Sequence, residues 1–418
     1  MFAQREIVIV GGGLVGCTLA IALSRRGVPS TILERSAAVP DVLRGELIMP
    51  AAVDVLDRLG IGSALRRVAL ETEGVALHHP AFDGGRCQVD YGLAPRPFDV
   101  DQGTPARGLC GFRQDLYETL WREAERCPQV EIVREFDVRA VERLADRRLR
   151  VTSRTGGSFV ARMVVAADGA RSRCRRSMGF PAIDEEAQTV VQGFVGAAPR
   201  YRRRHVEVGI HPLGAAFVFP FPGGRFRSTI EYQATFREDF RTADPLQTHL
   251  TVLAEALPRV FEELGGPSIE VCSDLGVQPS RPTKLSSVVD DGFALAGDAA
   301  GVLDPFSGYG MTLAILDAED LAETLGEAFA HDVWDARLLR GYEARRAARV
   351  SPKRQATEEM AYIFLDKAEG FADPLAEKLA RRWSDRELIG PIVATEFAGY
   401  PPLVPASVGL RSHVMGLV

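Results

Sequence analysis

The sequence predicts an α/β fold in which a Rossmann-like dinucleotide-binding domain is interleaved with a β-sheet-rich domain and followed by a helical C-terminal region. Three observations predict it. A β-branched run at residues 7–10 leads into glycines at the G-x-G-x-x-G positions Gly11, Gly13 and Gly16, and then into apolar residues at helical spacing. A second glycine-bearing turn, "GDAAGVLDPFSGYG", leaves another apolar run at residues 293–296 and also precedes a helical stretch. Between the two lies a strand-rich region, residues 183–272.

Each element follows in order. The continuous apolar run 7–10 suits a parallel strand buried on both faces. The three glycines permit a tight turn and close approach of backbone to a pyrophosphate, which the helix N-terminus would meet with its free N–H groups. Leu19, Ala20 and Leu23 continue the helix, and Gly27 ends it. A second strand, 30–33, ends at Glu34, where an acid can accept from a ribose hydroxyl. Pro50 reads as a first-turn proline, with Val53, Leu56 and Leu59 as the buried stripe. Residues 74–100 read as short strands and turns. "GFRQDLYETLWREAE" returns to helix with Leu116, Leu120 and Trp121 on one face. Residues 130–168 read as strands ending at Asp168-Gly169. "VVQGFVGAA", "HVEVGI", "AAFVFPFP" and "FRSTIEYQA" are the strands of the second region. A helix over 246–264 is bent near Pro258, and a long helix covers 311–325. Helix continues to about residue 367, and "YPPLVP" breaks it in the tail.

The expected division is therefore discontinuous: 1–77, 101–182 and 274–365 form the nucleotide-binding domain. Residues 78–100 and 183–273 form the substrate domain, and 366–418 a C-terminal helical or capping segment.

Composition narrows the function. The chain has 418 residues, enough for about two to three domains. A net charge of −6 argues against a nucleic-acid binder, and the basic runs 200–204 and 345–349 read as solvated faces. Six cysteines include no C-x-x-C and no partner His at metal spacing, so no metal is expected and the chain reads as a reduced cytoplasmic one. No signal-peptide pattern opens it, and no apolar stretch is long enough for a membrane span.

Three motifs stand in order: "GGGLVG" with Glu34-Arg35; "ADGARSRCR", which fits D-G-x-x-S-x-x-R through Asp168, Gly169, Ser172 and Arg175; and "GDAAGVLDPFSGYG". Over residues 5–350 they resemble the single-component FAD-dependent monooxygenases, the p-hydroxybenzoate hydroxylase-like aromatic hydroxylases. The resemblance implies that Glu34 holds the adenosine ribose and that Arg35 lies near adenine or phosphate. It implies that Arg44 and Arg113 approach the cofactor and that Asp168 and Gly169 touch FAD. It puts Asp298 on the ribityl hydroxyls, with Pro305, Gly308, Gly310 and Met311 beside the ring. Two departures stand out. Gly301 occupies a position where many relatives have His, and Thr312 one where many have Asn.

The implied chemistry is NADPH- or NADH-driven, with a flavin C4a-hydroperoxide that hydroxylates or epoxidises an aromatic or polyketide-like molecule, as in secondary metabolism. The partners are then a small-molecule substrate and O2, with oligomeric state open. Two other readings remain: a flavin-dependent reductase of a prenyl or polyketide double bond, and a non-catalytic flavin-binding partner module. The W-x-W-x-I-P motif of flavin-dependent halogenases is absent, because Trp121, Trp334 and Trp383 are isolated.

The substrate platform is expected in residues 183–235. Alternating Phe217, Phe219 and Phe221 would present one apolar face. His205, His211 and Tyr232 are candidates to orient a phenol. The competing reading is ordinary core for the phenylalanines and satisfied polar contacts for the histidines, and no catalytic base is assigned.

Overall fold

The computed structural model describes residues 3–39, 47–80, 82–97, 100, 103–184, 189–361, 365 and 390–403. Its first sheet grows from strand Ala3–Val10, whose residues Ile7, Val8 and Ile9 are wholly buried. Strand Ser30–Leu33 pairs with it in parallel on one side and Ser158–Ala166 on the other. Val130–Val133 and Phe293–Leu295 extend the parallel order outward. Helix Leu14–Arg25 packs against helices Arg113–Glu125 and Gly310–His331, which explains the unbroken apolar strand: helices cover it where an antiparallel sheet would meet water. An antiparallel pair, Val138–Arg143 with Leu149–Ser153, continues the sheet beyond Ser158–Ala166. Val138–Arg143 is charged and half exposed, so its ladder to the neighbouring strand, not apolar content, defines it.

The second sheet is largely antiparallel. Its strands run in the order Glu270–Val271, Thr189–Ala197, Arg225–Gln233, Gly214–Phe221, His205–His211, Gly74–His78, Arg86–Asp90, with Gly276–Pro279 also beside Thr189–Ala197. Pairing draws its limits at Gly74 and Pro279, slightly outside the expected 78 and 273. Gly74–His78 runs parallel to His205–His211, a long-range match that local sequence does not announce. One face packs on helices Pro245–Ala256 and Pro258–Leu264 through Phe194, Phe226, Ile230 and Tyr232. These two helices part at Leu257, whose φ of −135° breaks the helix immediately before the proline. The other face, with Val206, Val208, Phe217 and Phe221, packs on Met49, Phe306 and Leu313 of the first domain.

Helix Ala336–Ala361 runs on through Pro352. Helix Gly390–Phe397 then returns to the seam between the domains, where Ala51 N donates to Ala398 O at 3.0 Å and the Tyr400 hydroxyl donates to Asp54 at 2.6 Å. The expectation of a capping segment over 366–418 otherwise falls outside the described residues, apart from 390–403.

Candidate functional site

Parallel strands end on the same edge of a sheet, so the residues that follow them become neighbours. Register pairs Leu295 with Ala166, Ala166 with Val10 and Val10 with Leu33. The ladder persists to the last rung: Ala296 N bonds Ala166 O, Ala167 N bonds Val10 O and Gly11 N bonds Leu33 O, at 3.0, 2.8 and 2.8 Å. Asp298, Asp168, the glycine turn and Glu34 therefore line one carboxyl edge in that order, where open α/β sheets bind ligands.

At the centre of that edge two glycines are demanded by the protein itself. A Cβ on Gly11 would meet Ala167 O at 2.4 Å, and its φ is +107°. A Cβ on Gly16 would sit 1.9 Å from Gly11 O. Gly13 differs. It is the N-cap of helix Leu14–Arg25 with an ordinary φ of −79°, and the nearest atom to an added Cβ is 3.7 Å away, on Tyr117. Among the described residues nothing forbids a side chain there, and the space over the helix start is open. No side chain caps that first turn, which leaves its N–H groups to an anion. Trp121 Nε1 and Cys17 Sγ both donate to Gly12 O and brace the turn from below.

Glu34 is half-buried, and both its oxygens are held, by Gly12 N at 2.7 Å and Ser36 N at 2.8 Å. Each oxygen keeps a lone pair for a further donor. Arg35 is exposed beside it. The Arg113 guanidinium lies 4.1 Å from the centre of the Tyr117 ring, next to the Gly13 opening. Burial pushes the Tyr117 phenol above its ordinary range. Arg44 lies outside the described residues.

Asp168 spends both oxygens on its own turn. Ser172 Oγ donates to one, and Arg173 N and Cys174 N donate to the other at 2.8 and 3.2 Å. Gly169, with φ +82°, faces open space. Arg175 is buried and ties the two later motifs together, donating to Ala299 O at 3.2 Å and Ala170 O at 3.1 Å. The third motif packs tightly: a Cβ on Gly297 would meet Val15 at 2.6 Å, and Gly297 N donates to buried Asp317 at 3.0 Å. Asp298 beside it is exposed. Gly301 takes φ +127° and Thr312 accepts from Met49 N at 3.1 Å, so both departures have local structural work. Pro305 and Gly310 are exposed; Gly308, at φ +69°, turns the chain, and Met311 is half-buried. Gly310 opens a 22-residue helix, has no neighbour within 4 Å of an added Cβ, and lacks a side-chain cap.

The second sheet presents the aromatic row to this edge. Phe217 meets Phe306 of the late turn edge-on at 5.6 Å, and Phe221 meets Phe112, the residue before Arg113, at 4.7 Å. Phe219 is half-buried and stacks on Phe217. Strand alternation sends the polar candidates the other way. Tyr232 stacks on Phe240 at 4.0 Å in the helix-covered core. His205 bonds Asp90 at 2.7 Å, and His211 bonds Glu255 of helix Pro245–Ala256 at 2.8 Å. These three do not join the phenylalanines.

Comparison with known proteins agrees with this geometry. The family model described as the FAD binding domain matches residues 4–357. The chain belongs to this family. The FAD binding domain relatives include 3-hydroxybenzoate 6-hydroxylase of Klebsiella oxytoca, 25% identical over 87% of this chain and 90% of that protein. Squalene monooxygenase of Rattus norvegicus is 25% identical over 75% of this chain, but the match spans only 53% of that longer protein. The crystal structure of p-nitrophenol 4-monooxygenase from Pseudomonas putida DLL-E4 superposes with a TM-score of 0.73 at 22% identity, covering 97% of this chain and all of that one. The chain is thus an FAD-dependent oxidoreductase of the monooxygenase and hydroxylase group, with NAD(P)H the reductant typical of the family.

The residues present fit FAD. The open space at Gly13, the uncapped helix start and the carboxylate of Glu34 supply what a diphosphate and a ribose require. Among the described residues no cluster of His, Cys, Asp or Glu is placed to hold a metal ion, and no helix is long and apolar enough to cross a membrane. Sequence reasoning missed the groups that hold the late turn. Asp304 accepts from Thr189 at 2.7 Å and Ser280 at 3.0 Å. Ser307 meets Thr357 at 2.6 Å, and the Tyr309 hydroxyl donates to Glu396. Lys353 Nζ lies 3.0 Å from the same Glu396 carboxylate, an ion pair aligned too poorly for a hydrogen bond. No motif marks these partners; the Asp-Pro step at residue 304 is the one local signal.

Proposed function

We propose that this FAD-dependent monooxygenase inserts oxygen into an aromatic or polyketide-like small molecule held between the late turn and the second sheet. One observation carries the reading: the row Phe217–Phe219 meets Phe306 at the turn beside the open start of helix Gly310–His331. Bound FAD, reduced by NAD(P)H, supplies the oxygen-activating chemistry. The chain's own groups bind, orient and exclude water. The turn at Gly11, Gly13 and Gly16 would cradle the diphosphate. Glu34 would accept from the adenosine ribose, with Arg35 beside the adenine and Arg113 and Arg44 near phosphate and ribityl chain. Asp298 would accept from the ribityl hydroxyls. Asp168 and Gly169 would shape the neighbouring loop, because the Asp168 carboxyl is already engaged.

Pro305, Gly308, Gly310 and Met311 would border the ring. The helix beginning at Gly310 points its positive end there, an effect of about 1 kcal/mol on a charge that develops on the ring. The phenylalanine row would hold a planar substrate and keep water out. Residence in the cytoplasm is supported by six scattered cysteines that form no C-x-x-C pattern. The test is to purify the protein and record its visible spectrum, then screen aromatic and polyketide compounds for faster NAD(P)H oxidation and a product heavier by one oxygen atom. A yellow protein whose NAD(P)H oxidation proceeds under argon with a reduced product would instead support the double-bond reductase.

A further inference from the structure

Asp298 follows a glycine, and a glycine is a swivel. Gly297 has φ +57°, in a region that glycine enters as freely as its mirror image. The backbone that leads to Asp298 is nevertheless held at each step. Leu295 O accepts from the Tyr342 hydroxyl at 2.9 Å, Ala296 N donates to Ala166 O at 3.0 Å, and Gly297 N donates to Asp317 Oδ2 at 3.0 Å. Strand Phe293–Leu295 has ended by then, and a carboxylate, not a ladder carbonyl, takes the last of these amides.

Asp317 lies in helix Gly310–His331 and is 1% exposed. An isolated charge would be costly there. Two arginines of helix Ala336–Ala361 meet it: Arg346 Nε donates to Oδ2 at 2.9 Å, and Arg349 Nη2 donates to Oδ1 at 2.9 Å. Their i, i+3 spacing puts both guanidinium groups on one helix face. Arg349 Nη1 reaches on to Asp320 Oδ2 at 2.5 Å, and Arg345 lies 3.5 Å from the same side chain. With Gly297 N, three donors converge on the Asp317 carboxylate and none of them accepts, so it needs no proton and acts as an anion. An anion grips an amide harder than a neutral carbonyl does. A seam between two helices gains little from buried ions that apolar side chains would not also give. What this cluster adds is a fixed amide immediately before Asp298.

We propose that Asp317 is a positioning residue for the cofactor site: gripped by Arg346 and Arg349, it locks the Gly297 amide and through that peptide sets the direction of the Asp298 carboxylate. The meaning of Asp298 for flavin rests on the function proposed above; the locked amide does not. Through the two arginines, helix Ala336–Ala361 bears on the cofactor edge from behind the third motif.

The experiment removes the charges in one variant and the acceptor as well in another. D317N/R346M/R349M keeps a carbonyl oxygen for Gly297 N and strands no arginine, whereas D317L/R346M/R349M keeps neither charge nor acceptor. In the flavin-free full chain, amide exchange read by mass spectrometry across residues 293–300 should be faster in the Leu variant than in the Asn variant. FAD titration should find the Asn variant within about twofold of wild type and the Leu variant about tenfold weaker, the loss of one hydrogen bond. Adding Asp298→Ala to both should bring their affinities within about twofold of each other, a convergence that a purely structural role would not produce. Equal exchange in the two variants, or a tenfold gap that survives Asp298→Ala, overturns the proposal. Should the Leu variant fail to fold, the Asn variant still decides: affinity near wild type supports the proposal and a tenfold loss overturns it. Faster exchange in the Leu variant, beside an Asp298→Ala protein that holds FAD like wild type, supports the locked amide and overturns the functional reading of Asp298.

Discussion

Residues 11–16 are held chiefly by backbone, whereas residues 304–310 are held by side chains from five other segments. In the first turn, Gly11 rests on Leu33 and Ala167, and Gly16 rests on Gly11. The contacts are close because the glycines lack Cβ atoms, and the spacing of glycines therefore encodes the shape. In the second turn, Asp304 depends on Thr189 and Ser280, Phe306 on Phe217, Ser307 on Thr357, and Tyr309 on Glu396. Its shape is the product of finished tertiary structure. Under the function proposed above, a turn gripping a diphosphate would need one rigid geometry, whereas a turn bordering both ring and substrate would gain by being wired to the substrate-holding sheet.

The sharpest way to break the first turn is Gly16→Ala. Its Cβ would stand 1.9 Å from Gly11 O, so the backbone must move, at a cost above about 4 kcal/mol. Soluble yield and flavin absorbance per protein should both collapse. The second turn should break almost as badly through Glu396→Ala, which strands buried Lys353 and leaves the Tyr309 hydroxyl only the backbone carbonyl of residue 396. Denaturant unfolding should show a loss of about 3–5 kcal/mol, and the double variant K353M/E396L should recover part of it. Gly13→Ala separates fold from cofactor. The protein has room for that Cβ, so stability of the flavin-free form should change by no more than about 0.5 kcal/mol. FAD affinity should fall about a hundredfold, the loss of two charge-assisted hydrogen bonds, read by flavin fluorescence titration. The smallest effect is expected far from both turns. His211→Gln removes an edge contact to exposed Glu255 on the helix-covered face, and substrate-stimulated NAD(P)H oxidation should stay within about twofold.

What the sequence disclosed follows the same contrast. The strand at residues 7–10, its glycines and Glu34 are local, and a one-residue change of spacing would destroy them; they are readable. The apolar row Phe217, Phe219 and Phe221 was also readable, because alternation fixes which side chains share a face. Which way that face looks was not. His205, His211 and Tyr232 carry plausible chemistry, but parity on their strands sends them to helices or to Asp90. The pairing of Gly74–His78 with His205–His211 is hidden as well: some 130 residues separate the partners.

The fold-back of helix Gly390–Phe397 sets a timetable for the living cell. Tyr309 waits for Glu396, and Ala51 waits for Ala398. While a ribosome is still making the chain, the dinucleotide cradle can assemble after the first half has emerged, but the seat near Tyr309 stays unfinished until almost four hundred residues are out. Under the proposed function, coenzyme capture by a nascent chain would be one-handed until Glu396 has joined Tyr309.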